Sequence, residues 1–267
     1  MKFSFLHLSS FILLLLLTAC GATVTPPPPV VITAAGSTSM APLLADLTSA
    51  YSAQHPHITF DIQGGGSQLG QTLVEAGQID LGLVSWPPQN LPNKLRSMPV
   101  ARDAIAVVTH PQNKIEGLSL IDLRDIFRGR LLNWQEVGGS ATPIQVVSRE
   151  DGSGTRTAFE TLVMEGQPVT PSAIVLPNSQ AVVDFVAQNP NAIAYVSLAF
   201  IGQGVYTVPI EGIPPTTENL DSGSYLLTRD LFILAPKQGQ PELEQFIEFV
   251  LSPAGQAIIS THWKQAK

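Results

Sequence analysis

Short apolar runs alternate with helix-like segments along most of the 267-residue chain. Apolar residues make up 44% of the sequence, which supports real hydrophobic cores and argues against a disordered chain. The alternation predicts an α/β fold with mainly parallel sheets. Strands are expected at 30–35, 58–62, 79–84, 144–148 and 192–196, and helices at 40–52, 69–76, 118–127, 155–164, 181–188, 242–251 and 253–260.

Two further strand patterns, Pro99–Val108 and Tyr225–Ala235, are longer than the usual strand of about 5 to 6 residues. Each contains an Arg-Asp pair, Arg102-Asp103 in the first and Arg229-Asp230 in the second. A strand this long can run from one lobe into another, so the two together predict a hinge. Two ordinary strands of one sheet are the alternative. The hinge would join a first lobe, formed by 31–104 plus 229–267, to a second lobe, formed by 105–228.

The first nineteen residues carry one charge, Lys2, and an apolar run too short for a membrane span of about 20 residues. This pattern is typical of a secretory signal, with a buried terminal strand or helix as the alternative. The run ends Leu-Thr-Ala-Cys-Gly, which resembles the bacterial lipobox, and the chain's single cysteine is Cys20. We therefore expect a signal peptide at 1–19, a lipidated Cys20 and a Pro-rich linker over 20–30.

Three loops of small residues follow predicted strands: Gly36–Ser39, Gly64–Ser67 and Arg149–Arg156. Each precedes a helix, whose first N–H groups are unpaired and carry partial positive charge. Glycine lets the backbone approach a ligand closely, and Ser and Thr hydroxyls add donors. The loops together predict a site for a small anion, although each alone could be an ordinary cap or turn. Ser85, after the third strand, is a fourth candidate donor.

Arg149 is the expected charge partner of the anion, because a guanidinium can make a two-pronged contact with an oxyanion. A surface salt bridge is the alternative. Asp151 could orient this guanidinium. Arg156 falls in the first turn of a helix, where a cation is unfavourable without a partner.

Several function classes are disfavoured by what the sequence contains. The formal net charge is -7, which argues against nucleic-acid binding through phosphate neutralisation. A single cysteine excludes an internal disulfide, a CxxC pair and a cysteine zinc site. The five histidines show no metal-ligand spacing, and there is no phosphate-binding GxxxxGK[ST] motif, GxSxG elbow or SxxK pair. We therefore expect binding rather than catalysis, with no metal and no cofactor.

The three loops resemble the ligand loops of the phosphate-binding proteins of ABC transporters. The segments LSLIDLRDIFRGRLLNW (118–134), NAIAYVSL (191–198) and LSPAGQAII (251–259) are also similar to this family, so the resemblance covers about residues 31–260. It implies a type II periplasmic-binding-protein fold, in which two α/β lobes close on a ligand around two crossover strands. It also implies phosphate contacts by Thr38, Ser39, Ser67, Arg149, Ser153, Gly154 and Thr155, with Ser37 and Asp151 in support and Asp151 pairing with Arg149.

The resemblance thus predicts a monomeric, lipid-anchored binding protein on the outer face of the cytoplasmic membrane, which passes phosphate to permease subunits. One position departs from the family. Just after the third strand, many phosphate binders have an Asp that accepts the ligand's proton and repels sulfate. This chain has Ser85-Trp86 at that place. Receptors for sulfate, molybdate or tungstate therefore remain alternatives. A secreted hydrolase using Ser153 or Ser67, and a sensor or adhesion subunit without transport, are the others.

Overall fold

The computed structural model describes residues 27–261 and 263–265. The predicted signal peptide, Cys20 and most of the Pro-rich linker lie outside these residues. Within the described part of the chain, no helix is both long and apolar enough to cross a membrane.

Ten strands and eight α-helices make up the described chain. The strands are β1 (Val30–Gly36), β2 (Ile58–Gln63), β3 (Leu81–Val84), β4 (Leu95–Thr109), β5 (Gln145–Arg149), β6 (Ile174–Leu176), β7 (Ala192–Ser197), β8 (Tyr206–Thr207), β9 (Thr228–Pro236) and β10 (Lys264–Gln265). The helices are α1 (Ala41–Gln54), α2 (Gly66–Glu75), α3 (Leu120–Phe127), α4 (Gly154–Leu162), α5 (Ser179–Gln188), α6 (Thr217–Ser222), α7 (Pro241–Leu251) and α8 (Pro253–Ile259). Single turns of 3-10 helix occupy Thr38–Met40, Trp134–Val137 and Leu198–Phe200.

The helices begin where the sequence supplies caps. Ser119, Ser153 and Asn178 each accept a hydrogen bond from a backbone N–H of the first turn of α3, α4 and α5. Proline lies in the first turn of α1, α7 and α8, where its missing N–H costs nothing. These signals explain why each predicted helix is present with its bounds shifted by only a few residues.

The strands form one mixed sheet in the order β2-β1-β3-β9-β4-β7-β5-β6, with β8 and β10 also paired to β4. The outer pairs β1–β2, β1–β3, β5–β6 and β5–β7 are parallel. The central pairs β3–β9, β4–β9 and β4–β7 are antiparallel. The prediction of mainly parallel sheets is therefore wrong at the centre, because the two long strands run against each other and against their neighbours.

The two long strands lie at the middle of the sheet. β4 pairs with β9 from Leu95 to Ala104 and with β7 from Ile105 to Thr109. Its partner thus changes between Ala104 and Ile105. In this antiparallel register Arg102 faces Asp230, and Asp103 faces Arg229. The two Arg-Asp pairs of the sequence are therefore cross-strand partners of each other.

The buried apolar side chains fall mainly into separate groups. One group takes its members from 32–101 and 231–263 and packs under α1, α7 and α8. Two others take theirs from 104–227 and cover the two faces of β5 and β7. This division supports the lobes predicted from the sequence, with the change of partner along β4 near their boundary. The exact lobe limits stay a prediction.

Candidate functional site

The predicted loops lie beyond the carboxyl ends of β1, β2, β3 and β5, where α/β sheets bind ligands. Loops of both lobes supply free backbone donors. Among the described residues, the amides of Thr38 and Ser39 have no hydrogen-bond acceptor, and neither do those of Gly154 and Thr155 at the start of α4. Unpaired amides at helix starts bind anions. The two pairs of amides come from the first and second lobes respectively.

Arg149 is buried at the end of β5, with 2% of its side chain exposed. Its Nε and Nη2 donate to the two carboxylate oxygens of Glu150, each at 2.8 Å. Nη1 donates to Ser179 Oγ at 3.2 Å, and Nη2 also reaches Thr38 Oγ1 at 3.2 Å. The last contact joins a second-lobe cation to a first-lobe loop, where the anion was predicted to sit.

The expected pairing of Asp151 with Arg149 is wrong. Glu150 takes that role, and Asp151, whose side chain is 94% exposed, pairs instead with Arg156 at 2.6 Å. Arg156 also pairs with Glu160 one turn along α4 at 2.9 Å. The reason is local: the loop turns after Glu150, so Asp151 points to solvent on the side where α4 carries Arg156. Asp151 therefore supports Arg156 and does not touch Arg149.

Four serine hydroxyls from the first-lobe loops form a connected cluster. Ser37 Oγ lies 2.8 Å from Ser39 Oγ and 3.0 Å from Ser85 Oγ, and Ser85 Oγ lies 3.2 Å from Ser67 Oγ. Ser67 Oγ also accepts from the Ser85 amide at 3.1 Å. All four side chains are buried. The structure thus brings together Ser37, Ser39, Ser67 and Ser85 as the sequence predicted.

The second-lobe loop closes against this cluster. A Cβ on Gly154 would lie 2.1 Å from Ser85 Oγ and 2.3 Å from Ser67 Oγ, so only glycine allows this approach. The backbone amide of Gln68 in the first lobe also donates to the backbone carbonyl of Gly152 in the second lobe, at 3.2 Å. Ser153 Oγ caps α4 by accepting from the Arg156 amide. Any contact that Ser153 Oγ makes with a ligand must therefore be made in addition to this cap.

A second buried cation, Arg229, was missed as a site residue by the sequence reasoning. Its Nε and Nη2 donate to Asp103 Oδ2 at 3.1 and 2.8 Å, while Ser197 Oγ donates to Asp103 Oδ1 at 2.9 Å. Nη1 reaches Ser85 Oγ at 3.2 Å and Thr155 Oγ1 at 2.9 Å. The available signal was a charged residue within an apolar strand, which needs a buried partner.

The two arginines are close enough to affect each other. Burial lowers the pKa of Arg229, the Asp103 carboxylate opposes this, and the positive charge of Arg149 lowers it further. An anion between the two guanidinium groups would relieve that repulsion. Behind Arg149, the hydroxyl of Tyr195 hydrogen-bonds Ser148 at 2.7 Å, and burial raises the pKa of Tyr195 to about 12. Tyr195 is therefore a neutral support for the end of β5.

No cluster of three or more His, Cys, Asp or Glu side chains suited to a metal ion occurs among the described residues. The donors at the site are hydroxyls, amides and guanidinium groups, and its two carboxylates, Glu150 and Asp103, are engaged by Arg149 and Arg229. The arrangement can hold a small anion through many hydrogen bonds and two balanced cations. Two lobes that meet on such a site, joined by two crossover strands, define the type II periplasmic-binding-protein fold.

Known proteins of this fold agree. The PBP superfamily domain matches residues 23–254. A crystal structure assigned to a phosphate ABC transporter substrate-binding protein of Clostridium perfringens, with bound phosphate, superposes with a TM-score of 0.84 at 31% identity, covering 89% of this chain and 100% of that chain. An ABC-type phosphate transport receptor from Vibrio cholerae gives a TM-score of 0.74 at 30% identity, covering 88% of this chain and 100% of that chain.

Sequence relatives point the same way. The phosphate-binding protein PstS of Bacillus subtilis is 28% identical over 196 residues, which are 72% of this chain and 65% of that protein. PstS of Borreliella burgdorferi is 24% identical over 238 residues, 84% of this chain and 85% of that protein. The chain therefore belongs to the PBP superfamily, among the substrate-binding proteins of phosphate ABC transporters. The predicted fold and family are confirmed.

Proposed function

We propose that this chain is a lipid-anchored, extracytoplasmic binding protein that captures inorganic phosphate between its two lobes and delivers it to an ABC permease. The observation that carries the proposal is the buried Arg149 of the second lobe, which donates a hydrogen bond to Thr38 of the first lobe. Unpaired backbone amides of both lobes lie in the loops that meet there. The relatives named as phosphate-binding proteins, and the related structure with bound phosphate, support phosphate as the ligand.

Closure follows from the placement of the donors. The anion would meet Thr38, Ser39 and Ser67 from the first lobe, and Arg149, Gly154 and Thr155 from the second. A ligand that contacts both lobes binds the closed state more tightly and so shifts the population toward it. The protein acts as a monomer in this scheme, because one chain supplies the whole site.

An oxyanion panel tests the proposal. Phosphate should raise the melting temperature of the purified full chain in a concentration-dependent way, since a ligand that binds only the native state stabilises it. Sulfate, molybdate and tungstate at the same ionic strength separate the rival receptors. A larger shift with molybdate, tungstate or sulfate than with phosphate would assign the chain to that anion instead.

The hydrolase alternative needs a base beside Ser67 or Ser153. Among the described residues, Ser67 Oγ has only Ser85 as its partner, and Ser153 Oγ caps α4. No histidine hydrogen-bonds either serine in that part of the chain. A phosphatase and esterase assay should accordingly show no turnover above a Ser67→Ala, Ser153→Ala control.

The membrane anchor is proposed from the sequence alone, because Cys20 follows an apolar run and lies in a lipobox-like segment. A lipid chain buried in the bilayer, held at the end of a semi-rigid Pro-rich linker, would keep the lobes near a permease. Cys20→Ser should move the protein from the membrane fraction to the soluble fraction. Unchanged fractionation of this variant beside the wild type would contradict the anchor.

A further inference from the structure

The four-serine cluster has a defined hydrogen-bond direction. A hydroxyl has one hydrogen to donate and two lone pairs to accept with. Ser85 Oγ accepts from Ser37 Oγ at 3.0 Å and from Arg229 Nη1 at 3.2 Å. A guanidinium only donates, so both lone pairs of Ser85 are occupied. The hydrogen of Ser85 must then go to its third neighbour, Ser67 Oγ.

This direction fixes what the two ends of the cluster can do. Ser67 Oγ accepts from both the amide and the hydroxyl of Ser85, so its own hydrogen is free to donate. The Ser37 hydroxyl already donates its one hydrogen to Ser85. Ser39 must therefore be the donor in the 2.8 Å contact between Ser39 and Ser37. Ser37 is the one hydrogen-bond partner of Ser39 Oγ among the described residues. Ser39, 1% exposed, therefore keeps both lone pairs unused.

We propose that Arg229, held by Asp103, is a positioning residue that orients the hydroxyl chain Ser39→Ser37→Ser85→Ser67. In this orientation Ser67 donates a hydrogen bond to the bound anion, and Ser39 accepts a hydrogen bond from the protonated oxygen of hydrogenphosphate. The inference rests on the proposed function and gives its site a chemical basis for selectivity. A neutral serine oxygen takes the place of a carboxylate as the acceptor. Sulfate has no proton, so it leaves the acceptor lone pairs of Ser39 without a hydrogen-bond donor. This disfavours sulfate, but without the charge repulsion that a carboxylate would add.

Arg229 suits this role because its three nitrogens have separate tasks. Two hold Asp103, and Nη1 spans Ser85 of the first lobe and Thr155 of the second. Lysine could pair with Asp103 but could not make all of these contacts from one ammonium group. Without the Arg229 donor, one lone pair of Ser85 is released, and the chain can run in either direction.

The test compares the two ends of the chain. The affinities of phosphate and sulfate are measured calorimetrically with the full protein, at a pH where phosphate is the monoprotonated dianion. Ser67→Ala should weaken both anions by about tenfold to a hundredfold and leave their ratio unchanged, because a donor to any oxyanion is lost. Ser39→Ala should weaken phosphate by about three- to tenfold and leave sulfate unchanged or tighter, because only phosphate loses an acceptor.

Arg229→Lys tests whether Arg229 sets the hydrogen-bond direction of the serine chain. Arg102→Lys, on the same pair of strands, is its control. The first variant should lower the phosphate-to-sulfate ratio by about three- to tenfold, and the second should not change it. Melting temperatures report whether each variant is folded.

Each other outcome has a distinct meaning. The opposite pattern, with Ser67→Ala changing the ratio and Ser39→Ala weakening both anions, would overturn the proposed direction. Phosphate binding by the wild type with the ratio unchanged in Ser39→Ala and Arg229→Lys would overturn the inference but leave the proposed function standing. Absence of phosphate binding by the wild type would overturn the proposed function itself.

Discussion

Arg149 shows how this protein keeps a buried cation available to a ligand. The Glu150 carboxylate accepts from Nε and Nη2, Ser179 accepts from Nη1, and Thr38 accepts a second hydrogen bond from Nη2. The carboxylate balances the charge, while the hydroxyl contacts are weaker and can be exchanged for an anion. A guanidinium with a fixed orientation loses little entropy when it binds an oxyanion.

Replacement of Arg149 should therefore remove most of the phosphate affinity. Arg149→Ala leaves a buried anion without its main cation, a loss of about 3–5 kcal/mol, or more than about a hundredfold in affinity. Arg130→Ala is the matched control, since Arg130 is 65% exposed and pairs with Asp125 at the surface. Calorimetry of both variants checks this, and an affinity near the wild-type value in Arg149→Ala would remove this residue from the site.

At the residue scale, the sequence predicted the loop residues but not all of their partners. Ser37, Ser39, Ser67 and Ser85 could be grouped because each follows a strand at the same edge of the sheet. Glu150 and Asp151 could not be told apart, because which adjacent carboxylate turns inward depends on the loop's backbone. Arg229 reaches the site through a cross-strand register that local sequence does not reveal.

Among the structural elements, β4 and β9 join the two lobes and carry two ion pairs in one register. Asp103–Arg229 is buried on one face, with 1% and 3% of the side chains exposed. Arg102–Asp230 lies on the other, with 34% and 35% exposed. The sequence indicated a two-strand hinge from the repeated Arg-Asp pair. It could not indicate that the two copies pair with each other.

The two pairs predict very different effects on stability. Asp103→Ala leaves Arg229 buried without its partner and should lower the free energy of unfolding by about 3–5 kcal/mol. Asp230→Ala should lower it by less than about 1 kcal/mol, because solvent screens the exposed pair. Urea unfolding of the two variants measures both, and equal losses would contradict the different roles of the two faces.

The start of α4 sets how closely the lobes approach. Gly154→Ala would place a methyl group on Ser67 and Ser85 in the closed arrangement. Its effect should fall on ligand binding rather than folding, because the loops can separate. Overpacking typically costs about 1–3 kcal/mol, so phosphate affinity should drop by about fivefold to a hundredfold, with little change in the melting temperature of the free protein. Gly202→Ala, where the methyl group meets nothing within 4 Å, is the control.

A lower melting temperature without ligand in Gly154→Ala, together with unchanged phosphate affinity, would contradict this. It would mean that the close approach supports the fold and not the bound state.

Over the whole molecule, the cleft is held together by a few polar contacts between the lobes. They include Arg149 to Thr38, Arg229 to Thr155, and the backbone amide of Gln68 to the Gly152 carbonyl. The buried apolar side chains of the two lobes fall into separate groups. Few polar contacts between two independent cores favour a hinge motion that a ligand can control. The sequence predicted this architecture from the strand–helix alternation, but not the antiparallel centre of the sheet.

Calorimetric titration of the full chain with inorganic phosphate tests the central claim most directly. A site that draws donors from both lobes of one chain should give a saturable heat with one phosphate bound per protein. Phosphate should keep binding in the presence of a moderate excess of chloride, since the site is specific for a tetrahedral oxyanion rather than for negative charge. The absence of saturable heat, or binding that chloride abolishes, would contradict the account.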